Sequence, residues 1–255
     1  MMKPPPTVRV FIAGVSGSGK STAAWKLYLE RFPRRLLIDQ TGEWAEYADI
    51  VVYTVPELSW ALRKYAPTGR WTISCELDVD DMPALVDYLI PVPQLEGSPI
   101  RLCNGAVLLM DEIDLVAPPQ TARREIRTLF RRSRHVGLSI VATTQRPENV
   151  SREVSAQSQH VLCMTLVEPR ALEYMAELMQ TDIAALSAWT SRHPHGGLWR
   201  ESISGRTMWL TESGSLVQPG PQLVRPEASL QQSASPSDDD DDASEESEGR
   251  AVGEE

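Results

Sequence analysis

The sequence predicts an α/β fold built on a mostly parallel sheet, and three observations carry that prediction. Short, wholly apolar runs alternate with helix-patterned segments, the order that lays helices over both faces of a parallel sheet. One run, "VRVFIAG", passes directly into the glycine-rich "GVSGSGKST" (14–22) and then into a helical pattern. Another, "AVLLMDEID", ends in a cluster of acids. The 255-residue chain is long enough for one sizeable core, and its 42% apolar and 24% charged content is ordinary for a globular domain.

From the amino end, "TVRVFIAG" reads as a buried strand and "KSTAAWKLYLERF" as the following helix, ending near Pro33. "RLLID" (35–39) and "DIVVYTV" (49–55) read as strands. "PELSWALRKYA" has helical spacing, "RWTISCEL" strand character and "DMPALVDYLI" helical spacing again. "GAVLLMDEID" (105–114) is a strand ending in acids. "TARREIRTLFRRSRH" (121–135) is an amphipathic helix with Ile126, Leu129 and Phe130 as its apolar stripe. "GLSIVATTQ" (137–145) and "HVLCMTL" (160–166) are strands, "PRALEYMAELM" is a helix, and "GGLWRESISGRTMWLTE" is a hairpin turning at Ser204-Gly205. The domain is therefore expected to span 1–216. The Pro-, Ser-, Gln- and acid-rich segment 217–255 cannot bury enough apolar surface to order itself and is expected to be disordered. From Glu227 onward there are eleven acidic residues against Arg250 alone, so the net charge of −10 belongs to this tail and residues 1–226 are neutral overall.

Cys75, Cys103 and Cys163 are odd in number and lack a CxxC spacing, which predicts reduced, buried thiols and a cytoplasmic setting. No apolar run reaches the roughly 18 residues of a membrane helix.

Gly14, Gly19, Lys20 and Ser21 satisfy G-x-x-x-x-G-K-[ST] between a strand and a helix. Glycines let the backbone curl until successive N–H groups face phosphate oxygens, and the helix start adds its positive dipole end. Gly14, Ser16, Gly17, Ser18, Gly19, Lys20, Ser21 and Thr22 are thus the candidate nucleotide cradle. Lys20 is placed for the β- and γ-phosphates of ATP and the Ser21 hydroxyl for Mg²⁺. Such a loop also serves small-molecule kinases, the gluconate kinases among them, so by itself it does not select a reaction.

The acids do more. Asp111, delivered by a buried strand to the rim of the loop, suits the water shell of Mg²⁺. Glu112, pointing the other way, suits orientation and deprotonation of an attacking water. A kinase acting on a bound hydroxyl has no need of that glutamate, whereas an ATPase does. Gln145, ending a strand expected beside the Asp111 strand, is the candidate sensor of the γ-phosphate or the lytic water.

The succession of the phosphate loop, "LLIDQTGEW", "LLMDEID" and "RSRHVGLSIVATTQRP" resembles the HerA/FtsK superfamily of P-loop ATPases over about residues 8–210. Asp39, Gly42, Glu43 and Trp44 match its Asp-x-x-Gly-Glu-aromatic motif, and Ala142 to Pro147 its sensor strand. Arg134, His135 and Gly137 are similar to the packaging ATPases of internal-membrane viruses and the related phage assembly ATPases. The resemblance implies a RecA-like (ASCE) core, a hexameric ring, translocation of double-stranded DNA, and a capsid or portal partner in a host cytoplasm or virion. Cellular members carry extra domains or anchors, and the filamentous-phage Zot-like enzymes a membrane helix. Neither is seen here, which favours a stand-alone packaging motor.

Arg123, Arg124, Arg127, Arg131, Arg132 and Arg134 crowd one helix that holds only Glu125 as an acid. Unpaired like charges at helical spacing repel, so an anionic partner is expected: DNA, or a neighbouring subunit's γ-phosphate. The resemblance makes Arg134 the finger supplied in trans, with Arg131 and Arg132 as alternatives. Arg200 and Arg206 flank the hairpin turn and are expected to be exposed there, or else to reach a phosphate in cis. "HPH" (193–195) lacks Cys or acid neighbours and is not expected to bind metal; Trp189, Trp199 and Trp209 are expected to pack the sheet edge. A metabolite kinase and a nucleotide-gated binding module remain as alternative readings.

Overall fold

The computed structural model describes residues 6–90, 103–119 and 124–218. Its centre is one ten-stranded sheet in the order β10-β9-β8-β7-β1-β6-β5-β2-β4-β3. The strands are β1 (Arg9–Ala13), β2 (Arg34–Ile38), β3 (Ile50–Val52), β4 (Trp71–Cys75), β5 (Val107–Met110), β6 (Ser139–Thr144), β7 (His160–Cys163), β8 (Gly197–Glu201), β9 (Thr207–Leu210) and β10 (Leu216–Val217). From β7 to β3 every pairing is parallel; β8, β9 and β10 then close one edge antiparallel. The mixed α/β class and the carboxy-terminal hairpin agree with the sequence expectation.

Burial on both faces explains why the parallel strands read as unbroken apolar runs. On β1, Phe11 and Ala13 join a core with Leu58 and Leu62 of helix α2 (Val55–Tyr65), Leu85 and Val86 of α3 (Met82–Leu89), and Ile126, Leu129 and Phe130 of α4 (Arg124–Arg132). Val10 and Ile12 face the other way, toward Ala23, Ala24 and Leu27 of α1 (Lys20–Leu27). The three cysteines are free and buried, and burial pushes the Cys103 thiol up to about 12.

Departures from the expected elements have local causes. The run 49–55 stops as a strand at Val52 because Thr54 caps α2: its hydroxyl accepts from the Glu57 amide at 3.3 Å, while Glu57 accepts from the Tyr53 amide at 2.7 Å. The signal, Thr-x-x-Glu, was present in the sequence. Two helices had no expected counterpart, α5 (Arg152–Gln157) and α7 (Ile183–Arg192), which follows α6 (Pro169–Met179). Ser151 caps the first and Asp182 the second. No helix among the described residues is long and apolar enough to cross a membrane. Most of the segment 217–255 lies outside the described residues.

Candidate active site

The phosphate loop emerges from the carboxyl end of β1 and runs into α1. Gly17 and Gly19 both adopt left-handed backbone, at φ 74° and 92°, which glycine takes without steric cost. Gly14 is needed for a different reason. A β-carbon there would lie 2.6 Å from the Ser18 hydroxyl and 2.9 Å from Met164 Cβ. The Ser18 hydroxyl is turned inward, buried and without a hydrogen-bond partner. Ser16 and Gly17 are exposed, as are Ser21 and Thr22 at the helix start. Lys20 is buried, with its ammonium donating to the Val15 carbonyl at 3.1 Å. Burial draws its pKa below the ordinary lysine value, opposed in order by the carboxylates of Glu112, Asp111, Glu43 and Asp114.

Topology brings the acids to this lysine. β6 lies between β1 and β5, so the loop, the acid cluster and Gln145 emerge side by side at the carboxyl edge of the sheet. After β5 the chain turns at Glu112, whose φ of 47° and ψ of 55° place a non-glycine residue in left-handed backbone. That conformation costs about 1–2 kcal/mol, and it turns the peptide enough to gather Asp111, Glu112 and Asp114 rather than splay them along a strand. Each then meets one successive residue of β6 and its end. The Thr143 hydroxyl donates to Asp111 Oδ1, the Thr144 hydroxyl to Asp114 Oδ1 at 2.7 Å, and Gln145 Nε2 to Glu112 Oε1 at 2.6 Å. Glu112 Oε2 also accepts from the Gln145 amide at 3.3 Å. Burial raises the Glu112 pKa above the ordinary glutamate value; Gln145 opposes this, and the neighbouring charges of Asp111 and Asp114 reinforce it.

The segment after β2 supplies the remaining wall. Asp39 is fully buried and accepts from the amides of Gly42 (2.8 Å) and Trp44 (2.6 Å) and from Thr41, so it organises the turn rather than facing the site. The turn delivers Trp44, whose indole N–H donates to Asp111 Oδ2 at 3.0 Å. Both oxygens of Asp111 are thereby oriented by neutral donors. Sequence reasoning matched Trp44 to a motif but assigned it no contact. It did not single out Thr143, Thr144 or Asp114, because their partners are 30 or more residues away in sequence. His195 also went unassigned: a side chain at Gly19 would meet its ring at 3.7 Å, which puts it beside the loop.

The expectations for the arginines need correction. Arg131 pairs with Glu153 at 3.1 Å, and Arg127 lies 3.7 Å from the same carboxylate, so this part of the face has an internal partner, presented by α5. Arg124, Arg132 and Arg134 are exposed, Arg134 has no ion pair among the described residues, and Arg123 lies outside them. Arg134 sits in the turn leading into β6, at the opposite end of that strand from Gln145. Five residue steps of about 3.3 Å put it some 17 Å away along the strand. It therefore cannot reach this chain's own phosphate loop. Arg200 is not an exposed turn residue: it lies buried in β8, donating to the Leu178 carbonyl at 3.1 Å and to Gln180 Oε1 at 2.6 Å. Arg206 is exposed. Trp199 donates to the Tyr28 hydroxyl at 2.9 Å and Trp189 stacks on Trp209 with centroids 4.1 Å apart, packing the antiparallel edge as expected.

Solved structures of low sequence identity share this fold. The genome packaging NTPase B204 of Sulfolobus turreted icosahedral virus 2, in complex with ATP-gammaS, superposes with a TM-score of 0.61 at 16% identity over 82% of this chain and 98% of that one. The same protein with AMPPCP gives 0.58 at 18% identity, over 82% and 98%. B204, the DNA-packaging ATPase of Sulfolobus turreted icosahedral virus, gives 0.59 at 17%, over 80% and 97%. The chain shares its fold with these NTPase structures. No protein-family model matches the chain, and no curated protein does.

Proposed function

We propose that this protein is an ATP-hydrolysing DNA translocase that works as a hexameric ring, and that it packages a viral genome into a capsid through a portal partner. The observation that carries the hydrolase reading is the Glu112–Gln145 pair, held at the rim of the phosphate loop by a backbone turn that is otherwise unfavourable for glutamate. Strain of this kind is retained where a side chain must stand in one place.

The residues fit MgATP. The loop curls through two left-handed glycines, Ser21 stands exposed at the first turn of α1, and both oxygens of Asp111 are oriented by hydrogen bonds. Ser21 and Asp111 would hold Mg²⁺, Asp111 through its water shell. When bound, the ion would supply neutralisation of phosphate charge. Lys20, now on the Val15 carbonyl, is free to exchange that bond for a phosphate oxygen, and the carboxylates around it oppose the lowering of its pKa by burial. Glu112 takes the proton of the attacking water through an oxygen that Gln145 holds in place. Gln145 must give up part of that contact to meet a γ-phosphate, which makes it responsive to the nucleotide. Arg134, too distant to act in its own subunit, acts on a neighbour's phosphate. The fold likeness to a DNA-packaging ATPase supports the DNA component of this reading.

The test measures ATPase rate with and without duplex DNA alongside native mass. Stimulation by DNA in an oligomer is expected. A DNA-indifferent monomer that phosphorylates a small alcohol would replace the translocase with a kinase. An assembly that binds ATP without turnover would leave a gated binding module.

A further inference from the structure

A cleft of about 480 Å³ opens directly beside the phosphate loop, and the hydrolytic machinery makes no use of most of its wall. Ser21 and Thr22 form one side. The other is aromatic: Trp25 of α1, and Trp44 and Tyr47 from the turn after β2. Trp25 and Tyr47 have centroids 4.9 Å apart, Trp44 and Tyr47 5.8 Å, and Trp25 and Trp44 6.3 Å. The cluster is braced from behind, since the Arg35 guanidinium lies 5.0 Å over Trp25 while donating to the carbonyls of Leu29 (2.8 Å) and Glu30 (3.3 Å). Trp44 is buried, yet Tyr47 remains 48% exposed, a large apolar surface that the fold leaves open.

We infer that this cleft is the nucleobase subsite and that the base of the nucleotide stacks on Tyr47, with Trp25 as the floor. The inference rests on the phosphate-loop reading above, and three features select a base as the occupant. The first is reach. Trp25 follows Ser21 by four residues on the same helix and so lies about 6 Å along its axis on the same face, a span the ribose bridges from a phosphate held at Ser21 and Thr22. The second is shape, because a braced aromatic wall beside open space suits a flat π-surface, and such stacking tolerates any base. The third is charge. Glu43 and Glu46 stand on the rim with Lys26, and their carboxylates accept hydrogen bonds, which favours a base edge carrying an amine over one carrying only carbonyls. The same turn joins the subsite to chemistry, since Trp44 both backs Tyr47 and donates to Asp111.

The experiment compares binding of ATP and inorganic tripolyphosphate, each with Mg²⁺, by calorimetry. Tyr47→Ala should weaken ATP by roughly 5- to 150-fold, the range for losing one base–aromatic stack, and change tripolyphosphate less than twofold. Tyr47→Phe should keep the wild-type affinity for both. Because Tyr47 is half exposed, the alanine variant should keep the wild-type melting temperature to within a few degrees. Equal weakening of both ligands, or no weakening of ATP, overturns the subsite. Lys20→Ala separates this from failure of the underlying reading. If it abolishes tripolyphosphate binding while ATP ignores Tyr47, only the subsite falls. If wild-type protein binds neither ligand, the phosphate-loop reading and the subsite fall together.

Discussion

Replacing Glu112 with glutamine changes one oxygen to an amide and leaves size and shape intact, which makes its consequences calculable. General-base catalysis contributes about 10²- to 10⁴-fold, and at 1.36 kcal/mol per tenfold this is roughly 2.7–5.4 kcal/mol of barrier. The side-chain oxygen that remains can still accept from Gln145 Nε2, now at 2.6 Å, while the new amide gives up only the longer contact with the Gln145 backbone N–H at 3.3 Å, so nucleotide affinity should stay within a few-fold. Single-turnover hydrolysis of ATP and equilibrium binding, measured on the same preparation, separate the two quantities. The pH profile adds a second readout. Burial raises the wild-type Glu112 pKa, so the acid limb of the rate should lie above the ordinary glutamate range and should vanish in Glu112→Gln. The stability sign follows from the same shift. With the folded pKa above the unfolded one, ionised Glu112 disfavours the fold, so the variant should gain stability over wild type as pH rises through the folded pKa and lose that gain below the unfolded one. Wild-type turnover in the variant, with an unchanged acid limb, would refute the assignment of Glu112 as base.

Other expectations follow from single contacts. Trp44→Phe leaves a buried Asp111 oxygen without its donor, which costs about 1–3 kcal/mol and should lower Tm by roughly 2–12 °C while raising the Mg²⁺ concentration needed for half-maximal ATPase. Gly14→Ala meets Ser18 and Met164 at 2.6 and 2.9 Å; overpacking of about 1–3 kcal/mol should be accompanied by at least a roughly tenfold loss of ATP affinity. Adding Ser18→Ala should recover part of it, as calorimetry would show. Arg134→Ala and Glu112→Gln should each be inactive alone, yet a mixture should regain ATPase if the arginine acts on a neighbour. No recovery on mixing, in particles of native mass, would place Arg134 outside the site.

Much of the fold was legible because the physics behind it is local. Parallel strands buried on both faces must be apolar throughout, and Val10 to Ala13 or Val107 to Met110 can be recognised without knowing their neighbours. The phosphate loop is legible for the same reason, since glycine spacing dictates backbone curvature within nine residues. Short helices were harder to read. Arg152–Gln157 spans six residues, too few for a 3.6-residue period to declare itself, and its cap at Ser151 was the only signal. The charged face of α4 misled because Glu153, the partner of Arg131, lies 22 residues away and is brought in only by helix packing.

What the chain determined alone was chemistry by type: a lysine and hydroxyl on a glycine turn, paired acids closing an apolar strand, an amide closing another. Their meeting was decided by the order of strands. Only with β6 between β1 and β5 does Gln145 face Glu112, and only when the turn after β2 folds back does Trp44 reach Asp111, 67 residues further on. Pairing between distant segments depends on how the whole sheet closes its hydrogen bonds and buries its faces. No local run of residues encodes that outcome, because the free energy that selects it is shared across the sheet.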